Sequence, residues 1–328
     1  MATIKIGQKF DWDTDALPAY IDENSDVLYT RLVNQSKSVR LMQTVEGIKG
    51  TQALQLLDST IVWQNGASCG FNPGGTDALS QKTITVADIK VEKEFCNKDL
   101  VGFWAQRKLK PGAGAELAEL PFEETIMNQL LLENQKKIEY AIWQGDTNSM
   151  DASLNRFDGF EKQLSNLAGV INMNTTNAVS ITDNNALTVF RAAFESMGST
   201  LTQDERFAMY TSWANVQHLI ANLITLNLYN YNPGALQGGI MMDEYVIIPG
   251  TRCKVWYVEG LTGSDNIYAG LAGGMGEFIV GTDTEGDFTK IESGYDARLQ
   301  SLWFRLQFRL GVTFPFANQI GVFAPSVS

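Results

Sequence analysis

The strongest constraint on the fold lies near the C-terminal end, where apolar and mainly polar residues alternate without a break over residues 302–313. The side chains of a β-strand point alternately to the two faces of its sheet, so this pattern predicts one long strand with a buried face. The apolar face comprises Leu302, Phe304, Leu306, Phe308, Leu310 and Val312, and the other face comprises Trp303, Arg305, Gln307, Arg309, Gly311 and Thr313. Any fold for this chain must accordingly contain a sheet packed against a core.

Length and composition are those of a globular chain with a sizeable core. The sequence has 328 residues, of which 44% are hydrophobic and 19% charged, so one large or two medium domains are expected and a disordered chain is excluded. Lys and Arg number 25 and Asp and Glu 37, which gives a net charge of −12 and argues against a dedicated nucleic-acid binder. The first residues do not form a secretory signal and no window could span a membrane. Three scattered cysteines indicate neither a disulfide framework nor a zinc site, so synthesis in a reducing cytoplasm is expected.

Residues that usually carry catalysis are scarce or wrongly spaced. The single histidine, His218, lies in a predicted helix over residues 212–229 on the side away from its apolar stripe, and we interpret it as a surface residue. Residues 270–276 are rich in glycine but lack the Lys-Ser/Thr of a phosphate-binding loop, so a turn between two strands is predicted. Residues 11–15 have alternating acids but no glycine at the sixth position of a calcium loop. We predict no catalytic, cofactor-binding or metal-binding residues, and hence no enzyme.

An extended hairpin is predicted in the first third of the chain. Residues 60–64 and 82–86 are strand-like, and they flank a glycine-rich, almost uncharged stretch over residues 65–76. Two strands alone are not stable in water, so the hairpin needs a partner surface on its own chain or on a neighbouring chain. An ordinary surface hairpin is the alternative interpretation.

A helix of unusual length is predicted from about Pro121 to Gly145. Proline suits the first helical turn, and Glu123 and Glu124 lie where the helix dipole favours negative charge. At 1.5 Å per residue such a helix is roughly 36 Å long, which suits a structural spine. Its apolar face carries Ile126, Leu130, Ile138 and Ile142.

Shorter elements complete the pattern. One helix is predicted from about Leu28 and ends at Gly47 to Gly50. Another, capped by Asp183, carries Leu187 and Phe190. Short strands alternate with helices in a compact α/β unit, at residues 207–211, 245–248, 254–258, 267–271 and 278–280.

In the order of its elements the chain resembles the major capsid proteins of tailed bacteriophages, whose fold is shared with encapsulin shells and the floor of herpesvirus capsids. The resemblance covers nearly the whole length. The long helix through residues 140–144 to Gly145-Asp146 resembles the family's spine helix and its ending. Residues 157–160, Phe-Asp-Gly-Phe, resemble the step that enters the axial domain. Residues 308–315, followed by Ala317, resemble the last strand of the peripheral domain.

The resemblance implies an α+β fold with an N-terminal arm, an extended loop, a peripheral domain with a long spine helix, and an axial domain. The expected divisions are an arm at 1–27, the peripheral domain at 28–50, 88–147 and 295–328, the extended loop hairpin at 51–87, and the axial domain at 148–294. The implied function is a non-enzymatic structural protein that self-assembles into hexamers and pentamers of an icosahedral shell around double-stranded DNA. Location in the virion, after assembly in the cytoplasm of a bacterial host, is implied with it.

The expected contacts between subunits lie on the arm and the hairpin, at Trp12, Tyr20, Trp63, Phe71, Asn72 and Lys82. Only a short polar segment precedes the first predicted helix, and Met1 has the character of a natural start, so we expect a separate scaffolding protein. A portal and non-specific contact with packaged DNA are the other implied partners, and no membrane partner or cofactor is expected. An encapsulin-type nanocompartment shell protein is the alternative function, and a cytoplasmic α/β enzyme with an acidic pocket is a third hypothesis.

Overall fold

The structure, a computed structural model, describes residues 36–63, 74–96, 122–165, 167–174, 179–226, 241–242, 244–273, 276–283, 290–296, 298–299 and 301–325. Within these ranges the chain is an α+β protein built on three sheets, of five, seven and two strands. None of its described helices has both the length and the apolar character needed to cross a membrane. The α+β class predicted from the sequence is confirmed.

The elements follow one another as short strands and helices around two long ones. The helices are α1 (Lys37–Leu41), α2 (Phe122–Gln144), α3 (Phe160–Leu164), α4 (Ala186–Ser196), α5 (Ser199–Thr202) and α6 (Trp213–Thr225), with 3-10 turns at Glu259–Leu261 and Ala317–Gln319. The first strands are β1 (Gln43–Val45), β2 (Thr51–Ile61), β3 (Gly75–Thr85), β4 (Ala87–Cys96), β5 (Ile171–Asn172), β6 (Phe207–Thr211) and β7 (Met241–Met242). The remaining strands are β8 (Tyr245–Ile247), β9 (Lys254–Tyr257), β10 (Ile267–Leu271), β11 (Ile279–Thr282), β12 (Lys290–Asp296), β13 (Ser301–Thr313) and β14 (Gly321–Phe323).

The five-stranded sheet is organised around β13. This strand pairs antiparallel with β4 along one edge and with β12 and β11 in succession along the other, and β1 lies parallel to β11. Phe304, Leu306 and Phe308 are buried on one face, whereas Arg305 and Gln307 on the other face are half-buried. The long strand and its two faces, predicted from the alternation, are confirmed.

Helix α2 packs its apolar side into the same core. Its described bounds confirm the predicted spine, because it begins one residue after Pro121 and stops just before Gly145. Ile138 and Ile142 are buried as predicted, and Leu130 is half-buried. The side chains of Glu123, Glu124 and Ile126 lie outside the described residues.

The seven-stranded sheet has the order β5-β14-β10-β6-β9-β8-β7, and α4 and α6 pack against it around a second core. The strands predicted at 207–211, 245–248, 254–258 and 267–271 are present as β6, β8, β9 and β10. The predicted cap by Asp183 is wrong: α4 begins at Ala186 with Asn185 in the cap position. The amide of Leu187 at the start of α4 instead donates to Asn222 Oδ1 of α6 at 3.2 Å.

Sheet membership changes earlier in the chain than the expected division at residue 294. Strand β11 at residues 279–282 already pairs with β13, so the crossing from one sheet to the other lies between Leu271 and Ile279. In the opposite direction β14, close to the C-terminal end, returns to the seven-stranded sheet beside β10. The domain boundaries themselves stay a prediction.

Two further expectations need correction. The helix expected to run from Leu28 to Gly47 is described only as α1, which ends at Leu41, and β1 follows it directly; residues 28–35 lie outside the described part of the chain. The hairpin strands begin earlier than predicted, since β2 and β3 pair from Thr51 with Thr85 to Ile61 with Gly75. Residues 51–59 therefore belong to the first strand of the hairpin.

Candidate functional site

The hairpin formed by β2 and β3 is the feature that distinguishes this chain from a compact domain. Within the described residues, β2 and β3 pair with each other and with no other strand. Each strand has 11 residues, so the ribbon is about 36 Å long. At its far end Ile61 is 79% exposed and Trp63, just beyond β2, is 94% exposed. Leu79, which pairs with Leu57 in the middle of the ribbon, is also 79% exposed. An exposed ribbon with large apolar side chains at its end is expected to bind another surface.

The base of the hairpin is fixed to the five-stranded sheet. Ile84 is fully buried in a small cluster with Ile48 and Ile279, and the amide of Val86 donates to the Gly50 carbonyl at 2.9 Å. At Gly311 of β13 a Cβ atom would lie 2.2 Å from the Thr85 carbonyl oxygen, so only glycine allows the ribbon to approach this closely. The base of the ribbon is thus packed against the body, whereas its far end is exposed.

The six expected contact residues have different outcomes. Trp63 is described and exposed at the end of the ribbon. The Lys82 ammonium lies 4.4 Å from the centre of the Phe314 ring, so this side chain packs on its own subunit. Trp12, Tyr20, Phe71 and Asn72 lie outside the described residues. A role in contact between subunits stays a prediction for all six.

A buried carboxylate fixes the first described residues of the chain, at the start of α1, to α2. Glu139 of α2 is only 4% exposed, and its Oε1 accepts hydrogen bonds of 2.7 Å from Ser36 Oγ and from the Ser38 amide. Its Oε2 accepts a 2.5 Å bond from Ser38 Oγ, which in turn accepts 2.8 Å from Trp143 Nε1. Sequence reasoning missed this site, although an acid beside Ile138 on a predicted apolar helix was a usable signal.

An aromatic cluster joins α2 to the seven-stranded sheet. Trp143 is fully buried, and its ring centre lies 5.4 Å from Phe160, 5.7 Å from Tyr210, 5.3 Å from Tyr268 and 5.8 Å from Phe278. Tilted and edge-on contacts at these distances are favourable beyond the area that they bury. The aromatic cluster therefore holds α2, α3 and the seven-stranded sheet together.

The two short motifs singled out around Gly145 and Gly159 contact each other. The amide of Gly159 donates to the Gly145 carbonyl at 2.8 Å, and a Cβ on Gly159 would lie 2.6 Å from the Trp143 carbonyl oxygen. Lys162 forms ion pairs with Asp146 and, at 3.2 Å, with Asp158. The hydrogen bond from Lys162 lowers the pKa of Asp146. The end of the spine helix is thereby tied to the entry of the next segment.

The chemically reactive side chains among the described residues do not form a metal-binding cluster. They contain no group of three His, Cys, Asp or Glu side chains that could hold a metal ion. His218 Nδ1 lies 2.6 Å from Asp183 Oδ1 on the surface, in agreement with its interpretation as a surface residue. Burial raises the pKa of the Cys253 thiol far above its ordinary value, so this buried cysteine is a poor nucleophile.

One carboxyl group titrates near neutral pH. Glu277, in the turn between β10 and β11, is 4% exposed, and within the described residues its Oε2 has no hydrogen-bond partner. Burial raises the pKa of Glu277 from 4.5 to about 7, although a backbone hydrogen bond from Phe316 and the charge of Arg206 oppose the change. Because the pKa of Glu277 is raised in the folded state, its protonated form costs no free energy of unfolding below about pH 4.5. The free energy of unfolding then falls as the pH rises through 7.

We therefore expect Glu277→Gln to flatten the pH dependence of stability. At pH 8 the variant should be more stable than the parent chain by about 1–3 kcal/mol, and at pH 5 the difference should be small. Urea unfolding of unassembled subunits at both pH values measures this, with exposed Glu205→Gln as the matched control. Parallel pH profiles for the parent chain and Glu277→Gln would contradict the assignment.

Comparison with known proteins gives the fold a class. No protein-family model matches the sequence, and no curated protein matches it. Among solved structures, a chain of the satellite phage P4 procapsid including the size determination (Sid) protein superposes with a TM-score of 0.62 at 10% identity, over 94% of this chain and 95% of that chain. A chain of Microbacterium phage Oxtober96 superposes with a TM-score of 0.51 at 13% identity, over 99% of this chain and 96% of that chain. A chain from the capsid of an empty GTA particle superposes with a TM-score of 0.51 at 12% identity, over 99% of this chain and 94% of that chain. The chain has the fold of the major capsid proteins of tailed phages, as its order of elements predicted.

Proposed function

We propose that this chain is the structural subunit of a phage shell, assembling as hexamers and pentamers into an icosahedral capsid around double-stranded DNA. The observation that carries the proposal is the ribbon of β2 and β3, about 36 Å long with Trp63 almost fully exposed at its end. A ribbon of this kind gains stability when it lies on a neighbouring copy. The capsid fold supports the same reading.

The charge and the buried network agree with a structural role. A net charge of −12 repels the phosphates of enclosed DNA and so limits tight binding to it. A shell has to confine the DNA, not to bind it. The hydrogen bonds from Ser36 and Ser38 to Glu139 fix the start of α1 on the spine helix. We propose with this function a separate scaffolding protein, a portal, and location in the virion after assembly in the host cytoplasm.

The test is removal of two exposed apolar side chains from the ribbon. We expect Trp63→Ser with Leu79→Ser to fold normally but to lose closed shells, because each contact loses roughly 3 kcal/mol or more of apolar burial, about a hundredfold in association. Sedimentation and negative-stain microscopy of the purified full-length chain report the outcome. Val179→Ser with Leu299→Ser, which removes apolar side chains that are 50% and 65% exposed elsewhere, is the matched control.

Normal shells from the Trp63/Leu79 variant would contradict the role of the ribbon. A parent chain that sediments only as a single subunit at high concentration would contradict the shell function itself. The nucleic acid content of shells purified from infected cells then tests whether the enclosed material is double-stranded DNA. A protein cargo in place of DNA would favour an encapsulin-type compartment.

A further inference from the structure

A surface groove of about 570 Å³ lies between α2, β4 and the loop that follows α2. Its floor is apolar and is formed by side chains of both elements and of β13: Ile89, Val91, Leu130, Ile138 and Phe308. Ile138 and Phe308 belong to the main core, while Ile89, Val91 and Leu130 remain half-buried. Half-buried aliphatic side chains at the bottom of a groove are suited to an apolar ligand side chain.

The rim of the groove is strongly basic, in contrast to the acidic chain as a whole. Lys90, Lys93, Lys137 and Arg156 line it and are exposed, whereas Glu133 is the one carboxylate among its lining residues. A net charge of −12 makes such a concentration of cations unusual on this surface. An apolar floor with a basic rim fits an occupant that combines apolar and acidic residues.

The chain itself contains a segment of this chemistry. Residues 10–28, outside the described part, hold six acids and neither Lys nor Arg, together with Phe10, Trp12, Leu17, Tyr20 and Ile21. Two other segments match less well. Residues 97–121 carry four basic against three acidic side chains, and residues 51–86 carry only Asp58, Asp77 and Lys82.

We propose that residues 10–28 of the N-terminal arm bind in this groove, with aromatic side chains on the apolar floor and carboxylates at the basic rim. The place where the described chain starts allows it. The described chain starts at Ser36, bonded to Glu139 on the side of α2 opposite Leu130. The seven residues from 29 to 35 span up to about 24 Å, and a helix with its side chains is only about 10–12 Å wide.

The test places a photo-crosslinker in the groove of the full-length chain. The variant Ala152→p-benzoylphenylalanine puts the probe at an exposed lining position, and circular dichroism checks that the variant folds. After irradiation, mass spectrometry should identify peptides from residues 10–28. Mixing ¹⁴N and ¹⁵N chains then tells whether the arm belongs to the same copy or to a neighbouring one, and either origin agrees with the occupant proposed.

Charge reversal supplies the second measurement. Lys93→Glu with Lys137→Glu should lower the crosslink yield to the arm about fivefold, and Asp13→Lys with Asp15→Lys should restore much of it. Lys49→Glu with Lys136→Glu changes the net charge equally from exposed positions outside the groove and should have little effect. Crosslinks to residues 97–121 or 51–86 instead of the arm, or equal losses in both double variants, would overturn the proposal. Crosslinking is read on unassembled subunits as well, so its failure is distinct from a failure to form shells.

Discussion

Replacing Trp143 by alanine is expected to lower the free energy of unfolding by about 4 kcal/mol, enough to unfold a large share of unassembled subunits. The side chain is fully buried among four aromatic rings, so its removal leaves a cavity at the junction between α2 and the seven-stranded sheet. It also removes the indole donor to Ser38 Oγ, in the network that holds α1 against α2. The substitution therefore weakens two contacts of α2, one with the seven-stranded sheet and one with α1.

Urea unfolding of unassembled subunits, followed by circular dichroism, measures this loss. Trp63→Ala is the matched control, because the same substitution at a 94% exposed position should change stability by less than about 0.5 kcal/mol. Trp143→Phe keeps a ring but not the donor and should fall between the two. Similar losses for Trp143→Ala and Trp63→Ala would show that the junction does not depend on this ring.

Replacing Arg309 by methionine is the second large effect that we expect, a loss of about 3–5 kcal/mol. Arg309 Nε lies 2.6 Å from Asp88 Oδ1 on β4, and its Nη1 lies 2.8 Å from Asp283 Oδ2 at the end of β11. Asp283 is fully buried, so methionine would leave its carboxylate inside the protein without this cation. A buried charge that loses its partner is far more costly than an exposed one.

The same strand offers the control for this prediction. Arg305 also bridges two strands, to Glu92 at 2.9 Å and Glu292 at 3.7 Å, but all three side chains are more than 40% exposed. Arg305→Met should therefore cost less than about 1 kcal/mol. Thermal unfolding of both variants at low and high salt separates the cases, since salt screens the exposed pairs more strongly. Equal shifts in Tm would contradict the role of burial.

The sequence was most informative where one periodic pattern ran long enough to outweigh local noise. The alternation over residues 302–313 located β13, and the apolar spacing before Gly145 located α2. The hairpin was harder, because β2 and β3 are exposed on both faces along much of their length and show no alternation. Only their more apolar ends, near Ile61 and Ile84, looked like strands.

Contacts between distant residues could not be predicted from local patterns. Asp183 is a residue type that often caps helices, yet its side chain lies beside His218. The Oδ1 atom of Asn222 instead accepts the hydrogen bond from the Leu187 amide at the start of α4. The glycines at 270–276 indicated a turn, but a turn does not reveal that its two strands belong to different sheets. The bonds from Ser36 and Ser38 to Glu139 join residues about a hundred positions apart, beyond any helical or strand period.

The place of β13 and β14 in the two sheets has a consequence for synthesis on the ribosome. β13 separates β4 from β11 and β12, and β14 separates β5 from β10. Both strands follow these neighbours in the sequence, so the earlier strands cannot pair with them until residues 301–323 have been synthesised. Neither sheet is complete before that point, and a polypeptide that terminates before β13 lacks the strands that join the others.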